Sequence, residues 1–398
     1  MPKEIEAPES GQWKDYLNRD RMEQIAGVFT EVFSEESAKA SRSFKREAFV
    51  DAVCTDEFFA LELKDRIAYV ARVLRDFLPA QYDKAVKILV KAAPTMGGWG
   101  NWALTSYVEQ FGIEHFETSV NALRELTKYG SSEFAIRPYM IRYLDRMMPI
   151  LHEWAEDDNE HVRRLAAEGS RPRGVWVAHI EQFRKDPKPV LELLEKMKAD
   201  QSLYVRKAVA NNLNDISKDH PKLVIKTGLK WMKSGNKETA WIVKHACRSL
   251  IKQGYPEVFP LFGFTADPQV KVLSFGIADK KVTIGDESTV SVELASTGKK
   301  KQKLAIDYAV HYLKKNGKHN AKVFKLTERS LGAGESLSFS TKHSFREMTT
   351  RRHYPGLHKL DLIINGTAMK TVEFQVVSAK PAGKSSGKPS GKQASKKR

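Results

Sequence analysis

The chain's 398 residues include 66 Lys/Arg against 49 Asp/Glu, a formal charge of +17, but only two cysteines, Cys54 and Cys247. So few cysteines, so far apart, exclude a disulfide framework and a cysteine-built metal site, and no apolar run approaches the roughly 18 residues of a membrane-spanning helix. The polar opening from Met1 to Ser10 does not read as a secretory leader, so a protein of the reducing cytoplasm with no membrane partner is expected.

Residues 1–18 read as a loose arm. From Arg19 the apolar residues Met22, Ile25, Ala26, Phe29, Val32 and Phe33 fall on one helical face. Phe44, Ala48, Phe49 and Val53 repeat that spacing. Two further helices follow, through Leu63, Ile67, Val70, Leu74 and Phe77 to a stop at Pro79, and through Tyr82, Ala85, Ile88, Leu89 and Ala92 to a stop at Pro94. Thr95 to Trp102 is a Gly- and Trp-rich connector, either a packed turn or a surface display of aromatic rings. Helices resume through Phe116, Val120, Leu123 and Leu126, and Tyr129 to Ser132 ends one helix and caps the next.

Three segments then share a pattern: Asp157 to Gly169, Asp200 to Asp215, and Asn236 to Cys247. Each opens on acidic or polar residues, caps its helix with an Asp or Asn, buries an apolar stripe around Val162, Val205 or Val243, and places a basic residue directly after that valine. The valines lie 43 and 38 residues apart, the period of HEAT-type helical hairpins. Such units stack into a curved solenoid with a concave face, expected here over residues 19–266.

Beyond Asp267-Pro268 the apolar period changes from 3.6 to 2. Val290, Val292 and Leu294, then Leu304, Ile306, Tyr308, Val310 and Tyr312, alternate with their neighbours. Hairpins are expected at Lys315 to Lys318, where Asn316-Gly317 suits a type I′ turn, and about Asn365-Gly366. About seven short strands over residues 267–378 predict an all-β immunoglobulin-like sandwich after the all-α HEAT-like solenoid. Residues 379–398 repeat Gly-Lys among Ser and Pro and read as a disordered basic tail.

The charge follows these divisions. Residues 267–378 hold 19 Lys/Arg against 11 Asp/Glu, residues 379–398 hold seven and no acid, and residues 1–266 are near neutral at +2. A basic C-terminal half points to a polyanion, with solubility alone as the competing reading. Lys299 to Lys301, Lys314-Lys315 and Arg351-Arg352 are candidate phosphate contacts on the sandwich.

Chemistry is sought among carboxylates with cationic neighbours. Glu133 stands beside Phe134 and Arg137, Glu168 directly precedes a loop carrying Arg171, Arg173 and Trp176, and Asp215 shares a helix face with Asn211. Taken singly, each acid reads first as a surface charge or a partner for a nearby arginine.

The strings Ser132 to Tyr139, His161 to Arg173, and Val205 to Asp215 with the following Lys218 to Pro221 resemble the AlkC-type DNA alkylation repair glycosylases, of the HEAT-like repeat superfamily that also contains AlkD. The resemblance covers roughly residues 20–264, and the sandwich resembles the immunoglobulin-like domain of a subset of that family. It implies a cofactor-independent, metal-free, monofunctional glycosylase that removes 3-methyladenine and 3-methylcytosine from bent double-stranded DNA without full extrusion of the base. The lesion-facing acids are then Glu133, Glu168 and Asp215, with Trp176 as the aromatic of the site and Phe134 beside it. Arg137, Arg164, Arg171, Arg173, Arg206, Asn211, Arg351 and Arg352 become the DNA- and substrate-contacting set, Arg164, Arg171 and Arg173 either on phosphates or orienting the acids. Gly174-Val175 departs from the Leu-Pro that precedes the tryptophan in the family and implies a more flexible approach to Trp176. A monomer is expected, cytoplasmic and on the nucleoid when DNA-bound. The alternatives are a non-catalytic scaffold, in which the acids are dispensable, and a damage sensor that leaves no abasic sites.

Overall fold

The computed structural model describes residues 10–36, 43–348 and 351–378. The first half of the expected arm and the whole of the expected basic tail lie outside the described residues. The second half of the arm is packed: Trp13–Tyr16 form a 3-10 turn, Leu17 is buried, and Arg66 donates to Lys14 O at 2.8 Å.

The chain forms two compact units, divided between Ser249 and Leu250. The first is helical: α1 (Arg19–Glu36), α2 (Arg46–Val53), α3 (Asp56–Ala60), α4 (Leu63–Phe77), α5 (Tyr82–Met96), α6 (Gly100–Phe111), α7 (Phe116–Leu126), α8 (Arg137–Arg142), α9 (Leu144–Trp154), α10 (Glu160–Gly169), α11 (Glu181–Lys185), α12 (Lys188–Lys196), α13 (Leu203–Ile216), α14 (Pro221–Met232) and α15 (Lys237–Ala246), with α16 (Arg248–Lys252) crossing the division. Apolar stripes of the expected period drive them. In α4, Ile67, Val70, Ala71 and Leu74 are buried on one face.

Two expectations fail in this unit. Helix α5 continues past Pro94 to Met96 and ends at Gly97, whose φ is +63°. The side chain of Arg21, from α1, donates to Gly97 O at 2.6 Å and to Met96 O, serving the carbonyls left open there. The Gly-Trp connector is correspondingly short, and Trp102 belongs to α6.

The three valine units stack in order, α10 on α13 and α13 on α15, with Val162, Val205 and Val243 buried. Their caps are Asn159, Ser202 and Asn236, so the second cap is a serine where an acid or asparagine was expected. The basic residue after the valine has a structural use. Arg163 Nη1 donates to Asp157 O and Asp158 O, both at 2.9 Å, and Arg206 Nη1 repeats this on Asp200 O and Gln201 O at 2.9 and 2.8 Å. Each arginine thus ties down the turn that precedes its own helix. Asn212 Nδ2 crosses to Ala167 O at 2.8 Å, and Asn214 Nδ2 crosses to Ala246 O at 2.7 Å, so buried amides bolt α13 to both of its neighbours.

The second unit is a two-sheet sandwich. Its strands are β1 (Val270–Ile277), β2 (Lys281–Thr283), β3 (Glu287–Ser296), β4 (Gln302–Leu313), β5 (His319–Leu331), β6 (Ser336–Ser344), β7 (Gly356–Ile364) and β8 (Thr367–Val377). One sheet runs β1-β3-β6 and the other β2-β8-β7-β4-β5. The alternation read from sequence is the burial pattern: Val290, Val292, Leu294, Leu304, Ile306, Val310, Leu360, Leu362 and Phe374 meet in one core.

There are eight strands among the described residues, one more than expected, because the three-residue β2 pairs in parallel with β8. The hairpin about Asn365-Gly366 is as expected, but the other turn differs. Asn365 and Gly366 both have positive φ, +46° and +80°, whereas at Asn316-Gly317 only Gly317 does. The type I′ requirement is therefore met at the β7–β8 turn and not at the β4–β5 turn. Residues between the division at 249/250 and the expected boundary at 266/267 are bonded to the sandwich: Thr265 N donates to Lys303 O at 3.0 Å, and Asn365 Nδ2 donates to Thr265 O at 2.7 Å.

Candidate active site

Glu133, Glu168 and Asp215 come from three consecutive parts of the helical unit: the turn before α8, the last turn of α10, and α13. They are joined in one unbroken run of ion pairs. Arg164 pairs with Glu133 and reaches Glu168 Oε2 at 3.6 Å. Arg171 pairs with Glu168 and, through Nε, with Asp215 Oδ2 at 2.7 Å. Lys218 Nζ closes the run on Asp215 Oδ1 at 2.8 Å.

The helical period makes this possible. Arg164 and Glu168 are one turn apart on α10, and Arg171 lies in the loop just beyond, so one helix presents alternating charges to acids on both sides. Asp215 is 2% exposed, and such a carboxylate persists only because a guanidinium and an ammonium meet both of its oxygens. Burial pulls the Arg164 guanidinium down, but Glu133 and Glu168 outweigh it and leave its pKa above the ordinary value. The same contest, between burial and the carboxylates Glu168 and Asp215, raises Arg171. Ser131 Oγ donates to Glu133 Oε2 at 2.9 Å and accepts from Arg164 Nη1 at 2.6 Å.

The loop after α10 is pinned from beneath. Arg137 is 3% exposed and donates to Gly169 O at 2.9 Å, to Arg171 O at 2.6 Å, and to Ala178 O. Burial, with help from Arg171, brings its pKa down to about 10, against Asp215 and Glu168. The guanidinium thereby anchors the loop that carries Arg171.

A Cβ at Gly174 would stand 2.4 Å from Val177 Cγ2, so the glycine serves close packing. Trp176 itself has φ +61°, and Lys64 of α4 donates to its carbonyl at 2.9 Å. The indole is 68% exposed and lines a cavity of about 750 Å³ with Lys64, Glu109, Phe134 and Arg137. An adjoining cavity of about 400 Å³ shares Lys64, Glu109, Phe134, Pro138 and Trp176 and adds Trp102. Phe134 meets Trp102 edge-on at 5.3 Å. Trp176 therefore faces this hollow, and none of the three acids lines it.

Arg173 forks onto Asp219 at 2.9 and 2.6 Å, and that contact holds the Asp219 carboxyl below its usual range. Arg206 bonds the two carbonyls through Nη1 and lies 5.8 Å from the Trp241 ring, which makes it a turn anchor. Asn211 accepts from Arg248 at 3.0 Å. On the sandwich, Arg351 lies 4.7 Å over the Tyr312 ring and donates to its hydroxyl at 3.1 Å, while Arg352 is exposed. Sequence reasoning missed Lys64, Glu109, Ser131 and Lys218. Lys218, three residues after Asp215, had a legible i,i+3 signal; the other three did not. Among the described residues no group of three or more His, Cys, Asp or Glu is arranged to hold a metal ion.

Comparison with known proteins places these features in a family. Residues 115–250 match a model described as a DNA alkylation repair enzyme, and residues 271–378 match the C-terminal Ig-like domain of the YhaZ protein. The chain is 41% identical over 333 residues to the uncharacterised YhaZ of Bacillus subtilis (strain 168), covering 84% of this chain and 92% of that protein. It is 37% identical, with a TM-score of 0.81, to the alkylpurine DNA glycosylase AlkC of Pseudomonas fluorescens, solved bound to DNA containing an abasic site analogue. That likeness covers 92% of this chain and 99% of the other.

Proposed function

Because this chain belongs to the AlkC family of DNA alkylation repair glycosylases, we propose that it hydrolyses the N-glycosidic bond of cationic methylated bases, 3-methyladenine and 3-methylcytosine, in duplex DNA. The observation that carries the reading is the run of three carboxylates threaded on Arg164 and Arg171.

Methylation at N3 gives the base a positive charge, so it leaves readily and needs no general acid. The C1′–N bond breaks with its electron pair going to the base, which departs neutral. A water oxygen bonds to C1′, and its proton passes to a carboxylate. What the protein must supply is negative charge beside the oxocarbenium-like sugar and a group that orients the water. Glu133, Glu168 and Asp215 supply both. The arginines between them fix their positions before the substrate arrives, so little reorganisation is spent at the moment of reaction. The indole of Trp176 attracts the cationic base by roughly 0.5–2 kcal/mol, depending on desolvation. Neutral bases gain little from either effect, so charge gives selectivity. Bending the duplex costs on the order of 1–6 kcal/mol, and phosphate contacts from the basic half of the chain offset it.

The test is single-turnover release of 3-methyladenine and 3-methylcytosine from methylated duplex, run beside DNA binding. Asp215→Asn and Glu168→Gln are expected to lose at least about a hundredfold in release, as for removal of other charge-stabilising groups, and to keep binding DNA. Wild-type release no faster than spontaneous loss of the base overturns the proposal, and undiminished release in both variants removes the acids from it.

A further inference from the structure

Glu109 has no part in the chemistry just described, yet it is a carboxylic acid set among aromatic rings. It lines both cavities, with Lys64, Phe134, Pro138 and Trp176 common to the two and Trp102 on the smaller. No hydrogen bond and no ion pair occupies its carboxyl group among the described residues. Trp102 and Phe134 stand at 87° to each other, and both line the smaller cavity. Lys64 lies 5.7 Å from the Phe134 ring centre. The volumes, about 750 and 400 Å³, are those of small-molecule sites, which are mostly apolar with a few placed polar groups. The larger cavity backs onto the segment that carries Glu168 and Arg171, because Arg137 lines it and donates to the carbonyls of Gly169 and Arg171.

We infer that these cavities form a binding site for the free nucleobase after its bond to the sugar has been cut, stacked among Trp102, Phe134 and Trp176 and hydrogen-bonded by Glu109. The inference rests on the glycosylase reading for the identity of that base. Its chemistry is specific to the product. When the glycosidic bond breaks, the base nitrogen that was joined to C1′ acquires a lone pair it did not have in DNA. A protonated carboxyl can donate to that lone pair, and an attached lesion has nothing there to accept. Burial pushes the Glu109 carboxyl up, against the opposing charge of Lys64. The hollow is thus matched to a planar, neutral heterocycle with a ring nitrogen free.

The experiment is calorimetric titration of the full-length protein with free 3-methyladenine and, separately, with 3,9-dimethyladenine, in which a methyl group stands where the sugar was. Saturable binding of 3-methyladenine is expected below about 1 mM, and binding of 3,9-dimethyladenine at least about tenfold weaker, the scale of one lost buried hydrogen bond. Glu109→Leu should weaken 3-methyladenine by at least about tenfold, while Glu109→Gln, whose amide still donates, should stay within about threefold. The two-ligand comparison is made on the unaltered chain, so it stands even if Glu109→Leu folds poorly. No saturable binding, or equal binding of both ligands, overturns the inference. Base release from DNA without free-base binding sinks this site alone, whereas free-base binding without base release keeps the site and sinks the glycosylase reading.

Discussion

Arg171 holds Glu168 with one nitrogen and Asp215 with another, and that division of labour depends on a planar fork. Lysine keeps the charge but offers a single rotating centre. Arg171→Lys is therefore expected to lower single-turnover base release at least about tenfold while leaving DNA affinity little changed, and equal losses in both would mean that Arg171 serves DNA binding and not the acids. Trp176 presents a different trade. A tryptophan at φ +61° is strained by about 1 kcal/mol, and glycine relieves that strain. Trp176→Gly should leave the melting temperature unchanged or slightly higher and still release the base more slowly, since the ring is gone; a lower melting temperature would show that the indole is holding the loop. The three acids could be singled out because each sits in a long motif, and the helical period puts Arg164 and Glu168 on one face. That Arg137 and Arg206 also hold backbone carbonyls was not legible, for a physical reason: arginine is rarely enclosed, and nothing in one sequence shows that a backbone turn will wrap it. Glu109 left no trace, since an acid beside Val108 and Gln110 reads as one more solvated position on a helix.

In the stacked helices, the three valines were read correctly because burial follows the 3.6 period. The Asn211 to Asp215 stretch shows the limit of that reading. The period says that Asn211 and Asp215 share a face, but not that Asn212 and Asn214 point inward to bond the helices on either side. Asn212 Nδ2 gives Ala167 O its bond and also meets Ser170 Oγ at 3.1 Å, all of it buried. Asn212→Ala should cost about 1–3 kcal/mol, read as a lower denaturant midpoint of the helical unit, and an unchanged midpoint would show that α10 and α13 hold by apolar packing alone. The sandwich offers a second element-level test. His343 lies between Tyr308 and Tyr312, with Nδ1 2.9 Å from one hydroxyl and Nε2 2.8 Å from the other. Burial, aided by Arg351, His353 and Lys322, lowers its pKa from 6.5 to about 4. Between these values the unfolded chain binds a proton that the folded chain refuses, so this contribution to stability is complete above pH 6.5 and is lost as the pH falls toward 4. His343→Gln should flatten that part of the stability profile, and a parallel acid limb in the variant would assign the loss to other groups. The strands of this element were legible from alternation, except β2, where three residues are too few to alternate.

At the scale of the whole molecule, the charge is unevenly divided. The near-neutral first 266 residues carry the acids, and the excess of basic residues lies after them, with seven Lys/Arg and no acid in residues 379–398. This asymmetry was legible from composition; the division of the chain at Ser249 was less so, because the residues that bind Thr265 to Asn365 and Lys303 lie some 40 to 100 positions further on. If the basic segment engages phosphates, each contact releases a counterion and steepens the fall of affinity with salt by about 0.9 in log–log slope. A chain ending at residue 378 should then show a shallower slope, by up to about six units if all seven charges engage. Its single-turnover rate at saturating enzyme should remain that of the full chain, since the three acids and Trp176 are kept. The two measurements separate the roles: an unchanged slope would show that the last twenty residues do not contact DNA, and a fall in the saturated rate would show that they do more than gather the duplex toward the acids.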